Sequence, residues 1–203
     1  MSNEVKTKEK VNMDPKYIVK LAVTLFVTCV VVAGLLGFVN KLTLPNITAA
    51  NEKKTAEAIQ KVMPEMDGSP VPMEPTEEMI AAASGAGASV TEAYEAQAGG
   101  STIGYALKIV SSGSQGNIEM MVGVDTEGVV TGVSIVKNSE TAGIGSRVMA
   151  NENGVLDQFQ GKSAADGTLT VGSNVTAITG ATVSTKGVTT GVNAALAVAG
   201  LLG

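Results

Sequence analysis

Four hydroxyl side chains fall within seven positions near the C-terminus: Thr179, Thr182, Ser184 and Thr185. Gly180 and Ala181 lie between the first two and leave room for a bulky group to approach the backbone. Lys186-Gly187-Val188 follows, then an Ala/Val run to Ala199. That run reads as a helix, with Ser184 or Thr185 as its N-cap. A helix N-terminus presents unpaired N–H groups and partial positive charge, and Lys186 adds a full charge, so the stretch suits a phosphate. The plain alternative is an ordinary Ser/Thr turn that caps a helix.

A second stretch, Lys137-Asn138-Ser139-Glu140-Thr141-Ala142-Gly143-Ile144-Gly145, places two glycines two apart beside a Glu-Thr pair. Such a loop permits close approach, although a simple strand-to-helix turn has the same composition.

Composition removes many other chemistries. The chain has no His and no Trp, which excludes a Ser-His-Asp triad, a Cys-His pair and any His-ligated metal. The single cysteine, Cys29, lies in an apolar run, so no disulfide framework, zinc cluster or Fe–S site arises from this chain alone. Redox chemistry here requires an organic cofactor. The net charge is −5 with no basic stripe, which argues against nucleic acid.

The elements that position these residues follow from patterning. Residues 1–16 are polar and mixed in charge, a short disordered arm. Leu21 to Val39 runs 19 residues without a charge, long enough for about 30 Å of hydrocarbon. Tyr17, Lys20 and Lys41 flank it as interfacial anchors. The span is longer than a signal core, and Leu42-Thr43-Leu44-Pro45 is no small-x-small cleavage site, so an uncleaved transmembrane helix is expected over 17–40. Five lysines (Lys6, Lys8, Lys10, Lys16 and Lys20) precede or open the span, against Lys41, Lys53 and Lys54 soon after it. This bias predicts a cytoplasmic N-terminus. The residues after Val39 carry 16 acidic and nine basic side chains, consistent with a domain outside the cytoplasm.

Within 41–63, Asn46 to Met63 reads as an amphipathic connecting helix, with Ile47, Ala50, Thr55, Ala58, Ile59 and Val62 at near-helical spacing and Pro64 as its stop. The remaining 64–203 form the domain. Pro64, Pro70, Pro72 and Pro75 make 64–102 a loop-rich lobe, with a short helix from Glu77 to Ala83 and a strand near Ala88 to Tyr94. In the core, 103–203, strands are predicted at Tyr105–Val110, Ile118–Val124 and Val129–Val136, the last placing Val129, Thr131, Val133 and Ile135 on one face. Asp125-Thr126-Glu127-Gly128 closes a hairpin. One sheet face packs on helices and the other stays wetter. Short helical pieces from Arg147 to Phe159, a brief strand at Leu169–Val171 and the closing helix complete an α+β fold: a single N-terminal transmembrane helix, then a domain of antiparallel sheet and packed helices. Val188, Val192, Ala195 and Leu196 would carry the last helix onto the sheet.

The string Thr179-Gly180-Ala181-Thr182 resembles the flavinylation motif of the FMN-binding domain family. That family includes the G subunit of the Rnf electron-transport complex and the C subunit of the Na+-translocating NADH:quinone reductase. Glu140, Thr141, Gly143 and Gly145 resemble its second motif, Glu-Thr-Pro-Gly-Leu-Gly. Ala142 stands for the Pro, Asn138 for a preceding His and Thr176 for an Asp ahead of the first motif. The resemblance implies FMN joined through its phosphate to Thr182. Beside it, Thr179, Gly180 and Ala181 would form the turn, Ser184, Thr185 and Lys186 would meet the phosphate, and Glu140, Thr141, Gly143 and Gly145 would line the ring.

The resemblance further implies an extracytoplasmic flavin relay anchored in the cell (inner) membrane. It would work within an ion-translocating ferredoxin:NAD+ machine coupled to Na+ or H+, and its partners would be the other chains of that complex, a flavin transferase and membrane lipid. No separate catalytic activity is expected of this chain. Three alternatives stay open: the sister protein of the NADH:quinone reductase, a free-standing anchored flavoprotein that feeds an extracellular reductase, and an anchored non-redox binding domain with Thr182 unmodified.

Overall fold

A computed structural model describes residues 15–202; most of the polar arm expected at 1–16 lies outside the described residues. Two compact units divide at Ala50/Asn51. The first is helical. Helix α1, Pro15–Val62, contains the apolar run, and its large side chains from Tyr17 to Leu44 are exposed. It is long and apolar enough to cross a membrane. Its polar side chains bond within the helix: the Thr24 hydroxyl donates to the Lys20 carbonyl at 2.8 Å and Thr28 to Leu25 at 2.8 Å. Both hydroxyls are thereby satisfied without water, as lipid requires. Pro45 lies inside α1 without ending it. The Thr43 and Thr48 hydroxyls donate to the Val39 and Leu44 carbonyls on either side of it.

In the second unit, five strands form an antiparallel meander in the order β1-β2-β3-β4-β5. They are β1 (Val71–Met73), β2 (Ser89–Ala98), β3 (Ser101–Ser112), β4 (Asn117–Asp125) and β5 (Val130–Asn138). Helix α2 (Glu77–Gly85) precedes β2, a short helix α3 (Gly145–Met149) follows β5, and α4 (Thr182–Ala199) closes the chain. The β4–β5 hairpin turns where expected: Asp125 Oδ1 accepts from the N–H groups of Glu127 and Val129, both at 2.9 Å, and Gly128 takes φ +76°. A side chain that bonds its own following backbone is what makes an Asp-x-x-Gly turn.

The structure corrects three sequence expectations here. The 64–102 stretch is more ordered than a loop-rich lobe, because the ten-residue β2 pairs along β3 from Ser89↔Val110 to Ala98↔Ser101. Its alanines and glutamates are weak strand formers, so pairing rather than propensity holds it. Thr131 does not share a face with Val133 and Ile135. The register slips between Gly123 and Val124, which turns Thr131 over to donate to the Val62 carbonyl at 2.6 Å. Leu169–Val171 is not a strand; a lone bridge joins Val171 to Val175. The Asn193 amide accepts from Leu169 N–H and donates to its carbonyl, each at 2.9 Å, and so stands in for a neighbouring strand.

One sheet face is packed throughout and the other only in part; the second is the wetter one, as expected, and on it Glu92 pairs with Lys108 and Glu119 with Lys137. On one, α2 and α4 pack over Leu107, Ile109, Met120, Val122 and Val124. On the other, the last turns of α1 bury Ala58, Ile59 and Val62 against Ala96, Ala106 and Met121. Ile47 and Ala50, expected on the same apolar face, are exposed. Full burial of a side chain such as Ile59 is worth about 1.5–3 kcal/mol. Val188, Val192, Ala195 and Leu196 of α4 are buried, as expected. Gly187 and Gly191 bring α4 close to the sheet: a methyl group at Gly187 would sit 2.6 Å from the Ser112 carbonyl oxygen, and one at Gly191 2.6 Å from Met120.

Candidate functional site

The hydroxyl-rich turn sits where α4 begins. Ala181 N–H closes it onto the Ile178 carbonyl at 2.9 Å, Gly180 takes φ +83°, and Ile178 and Ala181 are buried beneath. A φ in that range strains any residue with a Cβ, which gives Gly180 its place. Thr179, Gly180 and Thr182 face solvent.

Thr182 is the first residue of α4, and Ala181 takes the N-cap position without a side-chain hydrogen bond. The expected caps lie instead inside the first turn. Ser184 donates its hydroxyl to Glu140 Oε2, and Thr185 donates to the Ala181 carbonyl at 3.1 Å; both are buried. Hydroxyls at these positions can bond either forward or backward, and the partner across the loop decides. Among the described residues no side chain therefore caps α4, and its first-turn N–H groups remain open beside the Thr182 hydroxyl. Lys186 is exposed and lies four residues on, on the same helical face as Thr182.

The second motif comes to this turn. Glu140 projects from the loop after β5 toward the β3–β4 turn: its Oε1 accepts from the N–H groups of Ser114 at 2.7 Å and Gln115 at 3.2 Å, while its Oε2 accepts from Ser184. Gly145 is buried against this carboxylate and Ser184; a methyl group there would lie 2.7 Å from Ser184 Oγ. Gly143 takes φ +78° and gives its N–H to Ser146 Oγ at 2.8 Å. The exposed Thr141 accepts at its carbonyl from Ile144 and Ser146. Asn138 Oδ1 accepts from Glu140 N–H at 3.1 Å, a bond inside the loop.

Together these residues wall a small cleft of about 150 Å³. Its lining combines Glu140, Thr141 and Gly145 with Gly180, Ala181, Thr182 and Ser184, and adds Ser114, Ile144 and Val183. Thr185, Lys186 and Gly143 are not among the lining residues, and Thr179 faces a different cleft of about 430 Å³ that Arg147, Gln158 and Thr176 also border. There the Gln158 amide holds the Thr176 backbone at both ends, accepting its N–H at 2.7 Å and donating to its carbonyl at 3.0 Å. Arg147 grips Glu152 with two hydrogen bonds, at 2.9 and 2.6 Å, and thereby holds the Glu152 carboxyl below its ordinary range.

Sequence reasoning missed Ser114, Ile144 and Val183. Ile144 and Val183 are apolar yet about half exposed, at 52% and 56%. Only their place between site residues could have drawn attention to them.

Comparison with known proteins gives the site a family. Residues 113–197 match the FMN-binding domain. The chain is 37% identical, over 215 aligned residues, to the G subunit of the Na(+)-translocating ferredoxin:NAD(+) oxidoreductase complex of Acetobacterium woodii, covering 96% of this chain and 97% of that one. The chain belongs to the G-subunit family of ion-translocating oxidoreductase complexes. The family's member from Methanosarcina acetivorans is 29% identical over 90% of this chain and 95% of its own length. The crystal structure of the C subunit of the Na(+)-translocating NADH-quinone reductase from Parabacteroides distasonis shares the fold at a TM-score of 0.52 and 16% identity, over 77% of this chain and 93% of that one. With family membership, the apolar part of α1 is a membrane anchor.

The residues present fit the phosphate end of FMN: an exposed hydroxyl, open N–H donors and a lysine on one helical face. The cleft, at about 150 Å³, is too small to enclose a three-ring system.

Proposed function

We propose that this chain is the flavin-carrying G subunit of an ion-translocating ferredoxin:NAD+ oxidoreductase, with FMN held as a phosphoester on Thr182. The observation that carries this reading is the exposed Thr182 hydroxyl at the mouth of a helix N-terminus left without a side-chain cap, beside a cleft walled by the second motif. Bound there, FMN supplies a centre that accepts and releases electrons.

The chain's part in attachment is nucleophilic. The Thr182 oxygen forms the new P–O bond to the FMN phosphorus of a flavin pyrophosphate donor. The nucleoside monophosphate leaves with the pyrophosphate's bridging oxygen, and the hydroxyl proton passes to a base on the transferase. The open N–H groups of the first turn and Lys186 meet the added negative charge. Ile144 and Val183, apolar and exposed at the cleft, would offer the ring a surface. After attachment, a covalent bond keeps the cofactor in place without a deep pocket.

Residues 17–40 would span the membrane, with the N-terminus in the cytoplasm and 64–203 outside it, in contact with lipid and with the other chains of the complex. Intact mass of the full chain extracted from its native membranes tests the cofactor: the expected gain is FMN less one water, lost in Thr182→Ala. A bare wild-type chain in the working complex would leave the non-redox binding domain as the reading. A Thr182→Ala chain that keeps the added mass would move the attachment elsewhere.

A further inference from the structure

Glu140 is the point at which separate stretches of the second unit meet. Its carboxylate takes two N–H groups from the β3–β4 turn and one hydroxyl from the first turn of α4, and its own backbone belongs to the loop that leads into α3. Gly113 and Gly145 press on it from two sides, and neither has room for a Cβ without striking a carboxylate oxygen. Three acceptor positions on its two oxygens are already filled from within the protein. A group so engaged has little left to offer a ligand, but it can fix the elements that do.

The element it fixes is the one that bears the site. Ser184 is two residues beyond Thr182, in the same helical turn, and is buried. α4 has no side-chain cap of its own, so the Glu140–Ser184 bond is the side-chain tie that holds this turn to the body of the sheet. A Ser/Thr or Asp cap on α4 would hold the turn equally well but would occupy the N–H groups that an anion needs. Tying the turn through Ser184 secures it and leaves those donors open. The carboxylate also lies at the positive end of α4, where its charge is favoured.

We infer that Glu140 is a positioning residue: by clamping Ser184 to the β3–β4 turn it sets the pose of the Thr182 hydroxyl for flavin attachment, and it does so by shape and hydrogen bonding rather than by contact with the ring. The inference rests on Thr182 as the attachment residue, so its test must be able to fail separately. Glutamine keeps the shape of the glutamate side chain. Its amide oxygen accepts from Ser114 and Gln115, and its NH2 donates to Ser184, whose hydroxyl turns to accept. Alanine keeps none of these bonds.

The experiment uses the full chain in detergent, a flavin transferase and its flavin pyrophosphate donor. The rate of covalent loading is followed by intact mass, and backbone amide exchange is measured on the unloaded protein. For Glu140→Ala, loading is expected to slow at least tenfold. The amides of Thr185, Lys186 and Gly187 are expected to exchange at least tenfold faster, while those of β3 and β4 change little. Glu140→Gln is expected to load within about threefold of the wild-type rate. Ser184→Ala removes one arm of the clamp and is expected to slow loading severalfold; it keeps the test alive if Glu140→Ala does not fold. Wild-type loading and exchange in Glu140→Ala would overturn the inference. So would a Glu140→Gln chain as slow as the alanine variant, since charge and not geometry would then matter, or unchanged loading in Ser184→Ala. Covalent flavin on a Thr182→Ala chain sinks the attachment reading instead, and the exchange data still judge the clamp.

Discussion

Gly145 shows how tightly the residues of this site are set. A methyl group there would meet the Glu140 carboxylate and lie 2.7 Å from Ser184 Oγ. Gly145→Ala is therefore expected to destabilise the fold by about 1–3 kcal/mol, as overpacking does, and to slow flavin loading as well; urea unfolding and intact mass check the two effects. A different residue-scale network governs behaviour in acid. Glu92 is partly desolvated, which works against its charge, but hydrogen bonds from Lys108 and Tyr94 outweigh this and hold its pKa below the ordinary value of 4.5. The same arrangement, burial first and then the carboxylate, pushes the Tyr94 phenol above its ordinary range. A depressed carboxyl pKa contributes stability that is complete above the unfolded value and disappears as pH falls through the folded one. Unfolding midpoints at pH values above and below 4.5 are expected to differ more in the wild type than in Glu92→Gln. That two stretches meet at one cleft could be guessed from composition for Gly180 to Thr182 and for Glu140, Thr141 and Gly145, but Thr179 and Gly143 do not line it. The hydrogen-bond partners of the site residues were not legible. Ser184 and Thr185 read as caps because a hydroxyl before a helix usually is one, and nothing local reveals that Glu140 waits 44 residues earlier.

Among the elements, α4 carries the site and depends on closeness to the sheet. Gly187 faces the Ser112 carbonyl, a backbone atom that cannot swing aside, whereas Gly191 faces the flexible end of Met120. Gly187→Ala is accordingly expected to be the costlier change, by about 1–3 kcal/mol, with Gly191→Ala nearer neutral because helix propensity gains offset a movable contact. Thermal unfolding of the two variants side by side checks the order. Strand patterns were readable in β3 and β4, whose pairing runs unbroken from Gly104↔Asp125 to Ser112↔Asn117. They failed in β5, where slips at Gly123/Val124 and Glu119/Met120 break the two-residue period. Those slips also irregularise an edge strand, which discourages pairing with other chains. Leu169 failed for another reason: a side-chain amide replaced the strand that its apolar character called for.

At the scale of the whole molecule, the division at Ala50/Asn51 has a practical consequence. Thr55, Ala58, Ile59 and Val62 of α1 are buried, and the last three belong to the core of the second unit. A chain that begins at Asn51 is expected to be soluble and cooperatively folded. One that begins at Pro64 uncovers Met121 and Ala106 and is expected to aggregate or to melt markedly lower; size-exclusion chromatography and calorimetry distinguish them. Anchor and domain were both legible because one is a long uncharged run and the other alternates. That the end of α1 packs on part of the second sheet face was not legible, since a helix pattern does not say what lies opposite.

The meander joins each strand to the next in sequence, so the sheet can zip together hairpin by hairpin while the chain is still being made. α4 is the exception: it comes last, and only its arrival unites Ser114, Glu140 and Ser184. A modifying enzyme that recognises the finished turn would thus act only on chains in which α4 has docked. Cofactor loading would then double as an inspection step that keeps misfolded copies colourless and out of the electron path.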